Sequence, residues 1–591
     1  MQRSTHGIWT IRILNRAAGF MLIVFVSAGT PVANAQTVLP NDAKATCPVP
    51  GPEFNSWFTT GAATANGEVN PADSVNFPDV PNCSFYKWSE QMFLWLTSPA
   101  PSRYGGGGRI FESPTFFDVS GPDQNGVRTY VRHEPGRFRF FDLRASQVGP
   151  HGLPIIFDKK GRMFEVIRSQ LTPSGKSLVR NKAGKFVELE RVRIESNGKA
   201  IFLDRAGKKI DVHLAPELDQ RLAPGMNPRL MKTLARKNVA QSFRTARNGR
   251  QIFLDQFGNV IDVEQGQAGG ASVLMAQNGS LVYYASMVND VYAYFQTGTV
   301  NGGITPTPTR FPTTQADLDK IVAFAQLHGK TFPDPEALAI EVKTAWVETT
   351  GLDVTKYITV QANIPTYDTS NPTLWTANGS KRATLAMVGM HVVGSTKGHP
   401  EMIWATFEHF GNTPNGQYTY TNTSNQTITV PQSAAGTWLY SASPPAAPFN
   451  VERMHFESPN IVASGTNTIG PSNTIRWKSW GAASNVAPNP LVSVAASNTE
   501  IISINNSVLG QLASGDIRSN YVMTGSTWTI AGAAPNNTNQ VGTSRMANTT
   551  METYDQGSDT TATGGSNCFT CHDSNQVSVS HFFDFLTPLF P

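Results

Sequence analysis

Charge is scarce in this 591-residue chain. Only 15% of its residues are Asp, Glu, Lys or Arg, against about 25% in ordinary globular proteins. With 40% hydrophobic and 10% aromatic residues beside that scarcity, the composition excludes a disordered, self-repelling chain. Long apolar runs are missing too. The longest, Ala17 to Val26, falls well short of the ~20 residues that span a bilayer, so no membrane span is expected. Cysteine is rare, with four in all, at 47, 83, 568 and 571. A zinc site built from two close Cys/His pairs is disfavoured, because the second pair is missing.

What is abundant points to turns and strands. Fifty glycines and 39 prolines, with many Ser, Thr and Asn, predict an α+β, β-rich fold. The N-terminus carries Arg3, Arg12 and Arg16, the short apolar core, and then Ala33-Asn34-Ala35. That order is a secretory signal peptide over 1–35, cleaved after Ala35, and it predicts a periplasmic or secreted protein. The remaining chain of about 556 residues is too long for one small core. It predicts either several domains or a large body with an insertion.

In an oxidising compartment Cys47 and Cys83 are expected to form one structural disulfide. The other two cysteines stand in "NCFTCHDSN" (567–575), the C-x-x-C-H spacing of covalent haem attachment. There two thiols add to the haem vinyl groups, and the adjoining imidazole, His572, binds the iron as proximal ligand. Competing readings are a redox-active Cys568–Cys571 disulfide, which lacks the surrounding βαβ pattern, a zinc site, and chance. One haem c is the expected cofactor. Only 19 residues follow His572, too few for the remaining helices of a small all-helical cytochrome c domain. The attachment site is therefore expected to be a terminal tether (548–591), with its pocket built from upstream sequence and the last 20 residues laid back over it.

Charge is unevenly placed. Residues 151–250 hold 22 Lys+Arg against 9 Asp+Glu, a net of +13, which leaves −12 for the rest of the mature chain. The same stretch repeats a pattern: "IIFDKKGRMFEV" (155–166), "LVRNKAGKFVEL" (178–189), "IFLDRAGKKIDV" (201–212) and "IFLDQFGNVIDV" (252–263). Each has an apolar arm, Asp or Asn, a Gly three residues on, and a second apolar arm. This is a β-hairpin signature. Residues 150–265 are thus expected to form a basic β-hairpin-repeat insertion, interrupted by a helical piece near 224–243, between main-body segments at 36–149 and 266–547. The insertion is either a docking face for an acidic redox partner or a solvated sheet. Nucleic acid is not an expected partner of an exported protein.

Elsewhere, helical spacing is read in "FYKWSEQMFLWL" (85–96), "TTQADLDKIVAFAQLHG" (313–329) and "DPEALAIEVKTAWVE" (334–348), with a linker at 297–312 and strand and loop after 355. The helix from Trp88 to Leu96, "EVKTAWVE" (341–348), "MVGMHVVGSTKGHPEMIWATFEHFGNTP" (387–414), "NTTMETY" (548–554) and the terminal "SNCFTCHDSN" together resemble a set of large, secreted bacterial monohaem c-type cytochrome-like proteins. The resemblance covers scattered blocks amounting to half the mature chain and skips the basic insertion. It implies haem c and a periplasmic home, and no particular reaction.

The sixth coordination position separates the functional classes, since a filled position favours electron transfer and an open one favours small-molecule chemistry. Candidate distal ligands are Met551, on an expected short helix capped near Asn548, His409 at the end of "MIWATFEH", and His581 in "SVSHFFDF". His391, His399, His455 and Met454 are also open. The expected function is electron transfer through one haem. The alternatives are a haem-dependent oxidoreductase or peroxidase-like enzyme with an open iron site, and a haem-bearing binding or sensing module.

Overall fold

The computed structural model describes residues 39–591 apart from 79–81, 122–126, 144–154, 158–162, 169–176, 196–197, 213–238, 245–250, 262–271, 458, 481–492, 536–538, 544–547, 556–567 and 573. The signal-peptide reading at 1–35 therefore lies outside the described residues. The architecture is mixed α+β with a β-rich body, and it is not a small all-helical domain.

A 12-stranded sheet forms the body. Its main path uses β1 (Phe116–Val119), β2 (Tyr130–Arg132), β3 (Tyr283–Asn289), β4 (Ile340–Glu348), β6 (Leu374–Thr396), β7 (His399–His409), β8 (Tyr521–Thr529) and β9 (Gln540–Gly542), in the order β2-β1-β3-β4-β6-β7-β8-β9. A further strand, β5 (Thr359–Asp368), pairs with the first half of β6. All pairs along the main path are antiparallel.

Alternation along the central strands sends side chains to two cores. On one face Ile340, Val342 and Trp346 of β4 and Ile403, Ala405 and Phe407 of β7 meet α2 (Asn82–Leu96) and α5 (Val494–Leu509). Phe93 of α2 stacks on Phe407 with ring centroids 4.3 Å apart. The short α1 (Gly51–Ser56) lies in the segment that the Cys47–Cys83 disulfide, with Cα atoms 5.2 Å apart, joins to α2. Closing a loop of that length stabilises by about 4 kcal/mol in the chain-entropy picture. On the opposite face α3 (Asp290–Val300), α4 (Gln315–Leu327) and the C-terminal segment cover one end. Met551, Leu439 and Tyr440 cover the other end.

Two hairpins of the basic stretch form as read, while the turn of the first at 158–162 and the end of the fourth at 262–263 lie outside the described residues. Leu178–Arg180 pairs with Phe186–Glu188, and Ala200–Leu203 pairs with Lys209–Ile210. Gly184, Gly207 and Gly258 take φ of 81°, 76° and 81° at their turns. Asn181, Asp204 and Asp255 each accept backbone N–H bonds across the turn, which explains why Asp or Asn recurs there.

Five local expectations fail. Residues 334–348 are not a helix: Pro335–Ala337 make one 3₁₀ turn and Ile340–Glu348 is the central strand β4. The alternation Ile-Glu-Val-Lys-Thr and the β-branched residues, satisfied by partners on both sides, outweigh the helical spacing. Residues 239–243 belong to a strand, Val239–Arg244, paired with Gln251–Asp255, and 224–238 lie outside the described residues. Residues 548–555 make a turn and a 3₁₀ turn in place of a short helix, because the Asn548 carbonyl oxygen Oδ1 accepts from Thr550 N as an Asx turn. Helix α5, opened by Ser493 accepting from Ala496 N, stands where strand and loop are expected. The segment at 297–312 is no free linker, since α3 includes its start and Ile304 and Phe311 are buried.

Candidate functional site

Cys568–Cys571 is one turn of helix, α6, and the His572 N–H closes on Cys568 O at 3.0 Å. One helical turn brings positions i, i+3 and i+4 to one side, the arrangement C-x-x-C-H needs to present two sulfurs and an imidazole to one flat group. The Cys568 thiol is not in a disulfide and is half-buried against the core that holds Phe569, Trp404 and Phe582. Burial pushes that thiol up, so it is neutral in the folded chain.

The His572 ring is fixed on three sides. Its Nδ1 lies 2.6 Å from Val579 O. A carbonyl only accepts, so Nδ1 carries the proton and Nε2 carries the lone pair for a metal. The face of Trp404 lies 4.0 Å from the ring and His581 stacks at 3.9 Å. Burial first, and His581 next, push the imidazole well below its ordinary range, which keeps it neutral and ligand-competent.

The tail that supplies these contacts is tied to the body. Val577 N donates to Thr309 O at 3.0 Å, Gln296 Nε2 donates to Phe583 O and Leu586 O, and Arg128 N and Thr587 N exchange bonds across to Phe585 O and Arg128 O. Phe583 packs among Tyr292, Phe295 and Phe311. Residues 574–591 thus run back over the sheet, next to His572.

Below this lies a polar band on the same sheet face. His391 of β6 bonds Glu552 at 2.7 Å, and Lys343 of β4 sits opposite His391 in register. Burial acts to raise the Glu552 carboxyl, but His391 and Lys343 outweigh it and hold it low. The 548–553 segment is strapped across β6 and β7: Asn548 Nδ2 donates to Thr406 Oγ1 and Phe407 O, and Thr549 N and Oγ1 donate to Glu408. Arg476 closes on Glu408 at 2.6 Å with both side chains 0% exposed. The strap lies so close that a Cβ on Gly389 would meet Thr550 Oγ1 at 2.3 Å.

Of the candidate distal ligands, the structure brings one to His572. His581 lies against it, but as a parallel stacked ring, a pose that cannot at the same time face His572 across an iron. Met551 packs with Tyr284, Val388 and Tyr440 in a separate cluster. His409 lies at the far end of β7, about 17 Å along the strand from Trp404 at ~3.4 Å per residue. Its Nε2 meets Lys356 O and its Nδ1 accepts from Gly411 N, while burial drives its pKa down to about 3. His399 is buried with Glu401, His455 is held by Ser464 and Glu457, and Met454 is in the helix-covered core. Trp404 and Glu552, which the sequence did not single out, and His391, one of the open distal candidates and here bonded to Glu552, are brought to the site by strand register. No local signal marks them.

Among the described residues no group of three or more His, Cys, Asp or Glu is arranged to hold a metal ion. A haem brings four nitrogen ligands of its own and asks the chain only for an axial imidazole and thiols. The helical turn, the Nδ1–H tautomer and the aromatic walls fit that group. No helix among the described residues is long and apolar enough to cross a membrane. No family model, curated protein or solved structure matches the chain.

Proposed function

We propose that the protein is an exported c-type haem protein that transfers electrons through one haem, bound covalently by Cys568 and Cys571 and ligated by His572. The observation that carries this reading is the Nδ1 bond of His572 to Val579 O, which leaves on Nε2 the lone pair that a metal needs, immediately after a C-x-x-C turn. A bound haem supplies a one-electron iron couple. The chain's own residues then have defined work: Trp404 and His581 pack against the imidazole and hold its plane, and the tail closes the site. The resemblance to secreted monohaem proteins, the A-x-A cleavage signal at Ala35 and the Cys47–Cys83 disulfide support export to an oxidising compartment. The basic hairpins of 151–250 are the face for an acidic redox partner, acting through association rate.

A second reading, a haem-dependent oxidoreductase with an open iron position, draws on the His391–Glu552 pair, an acid–base couple on the same sheet face as His572. Optical spectra of the oxidised and reduced protein, with and without carbon monoxide, decide between them. A haem spectrum insensitive to carbon monoxide supports electron transfer, a shifted spectrum supports the second reading, and a purified exported protein without haem overturns both.

A further inference from the structure

Two of the three contacts that fix His572 come from the residues flanking Ser580, the third being Trp404. Val579 supplies the carbonyl that accepts from Nδ1, and His581 supplies the stacked ring. What holds these three residues in place is a side-chain chain that ends on the sheet. Ser580 Oγ donates to Glu341 Oε2 at 2.7 Å. Ser580 has a single hydroxyl proton, and it is spent on the carboxylate, so Tyr292 Oη, 2.7 Å from Ser580 Oγ, is the donor to it. Glu341 sits on β4, paired on one side with Val288 of β3 and on the other with Val393 of β6. It is anchored on an interior strand of the sheet, on the strand face that carries Lys343. The other tail anchors lie on either side: Val577 N to Thr309 O precedes Val579, and Gln296 to Phe583 and Leu586 and Asn301 to Phe590 follow further along the chain.

We infer that Glu341 is the positioning residue for His572: through Ser580 it seats Val579 and His581 against the imidazole and so sets the plane and tautomer of the ligand. This rests on the haem reading of the site. The chemistry is that of an outer-shell partner, in which a fixed carboxylate orients the group that orients the ligand. Burial lifts the Glu341 carboxyl to about 7, so above that pH the acceptor is charged and its hydrogen bond governs the seating of the segment by on the order of ten- to a hundredfold.

The test uses the full-length, haem-loaded protein and three variants, E341L, E341Q and S580A, with covalent haem content measured on each. Gln keeps an acceptor for the Ser580 hydroxyl, whereas Leu does not. The ferric electron paramagnetic resonance spectrum reads the imidazole plane through its g-values, which a general loss of packing elsewhere does not shift. Wild type and E341Q are expected to give one and the same set of g-values. E341L and S580A are expected to give a second set, carrying most of the signal, at unchanged covalent haem content. Unchanged g-values in E341L and S580A overturn the inference. An E341Q spectrum altered as much as that of E341L also overturns it, since charge rather than the hydrogen bond would then be responsible. If E341L does not fold, S580A, which removes one hydroxyl, carries the test. If the wild type attaches no haem, the functional reading fails by itself. The positioning claim is then decided by nitrogen-15 shifts of His572 in the same full-length chain: Nδ1–H alone in wild type and E341Q with a tautomer mixture in E341L sustains it, and Nδ1–H alone in E341L overturns it.

Discussion

Arg476→Met is expected to destabilise the protein more than any surface change, and the reason lies under the strap. Arg476 and Glu408 are both wholly buried, with Nη2 to Oε2 at 2.6 Å. Glu408 accepts in addition from Thr549 N at 2.8 Å, Thr549 Oγ1 at 2.5 Å and Asn412 Nδ2 at 3.3 Å. Met fills the guanidinium's stem but leaves a buried carboxylate with neutral donors only. Breaking a buried pair from one side costs about 3–5 kcal/mol, a large share of the roughly 5–15 kcal/mol that holds a domain together. Removing both charges should be much milder. In E408Q/R476M the Gln carbonyl still accepts from Thr549, and recovery to within about 1–2 kcal/mol of wild type is expected. Equilibrium urea unfolding followed at the tryptophans measures both variants. A single variant costing less than about 1 kcal/mol, or a double variant as unstable as the single, refutes the assignment of this pair as the strap's anchor.

Two further outcomes follow from other parts of the body. Glu90 on α2 is 4% exposed, its Oε1 has no hydrogen-bond partner, and burial lifts its pKa from 4.5 to about 8. The folded state keeps a proton that the unfolded chain releases, so stability falls as pH rises from about 4.5 to about 8 and is level above that. E90Q should remove this slope and gain about 3 kcal/mol over wild type at pH 7 relative to its difference at pH 4.5; a difference that does not change between those pH values contradicts the reasoning. G389A drives a Cβ into Thr550 Oγ1 and towards Asn548, so it should cost about 1–3 kcal/mol and expose the strap to limited proteolysis, whereas wild-type resistance would show that the strap yields without cost.

Legibility in the sequence followed the range of the interaction. The hairpin turns were readable because the Asp or Asn acceptor and the Gly with positive φ lie within four residues of each other. Helix α2 is readable from the helical spacing of Phe85, Trp88, Met92 and Trp95, although burial extends to nearly all its sides beyond the one apolar face expected. Strand β4 departs from the helical spacing of Leu338, Val342, Ala345 and Trp346 because burial on two sheet faces decides for a strand. Helix α5 was missed because its Asn- and Ser-rich sequence gives weak propensity, and packing of Ile501, Ile502 and Ile504 on the sheet holds it instead. At the site, Cys568, Cys571 and His572 announce themselves by spacing. Trp404, Glu341 and His391 lie more than 160 residues upstream of them, and only strand register brings them together.

The most direct measurement is the mass of the C-terminal peptide from denatured protein purified after export. The account predicts a peptide containing Cys568 and Cys571 that is heavier by one haem and keeps it through acid denaturation, with the added mass absent from a C568A/C571A variant. Recovery of that peptide without added mass, with both thiols free or joined to each other, would contradict the account at its centre.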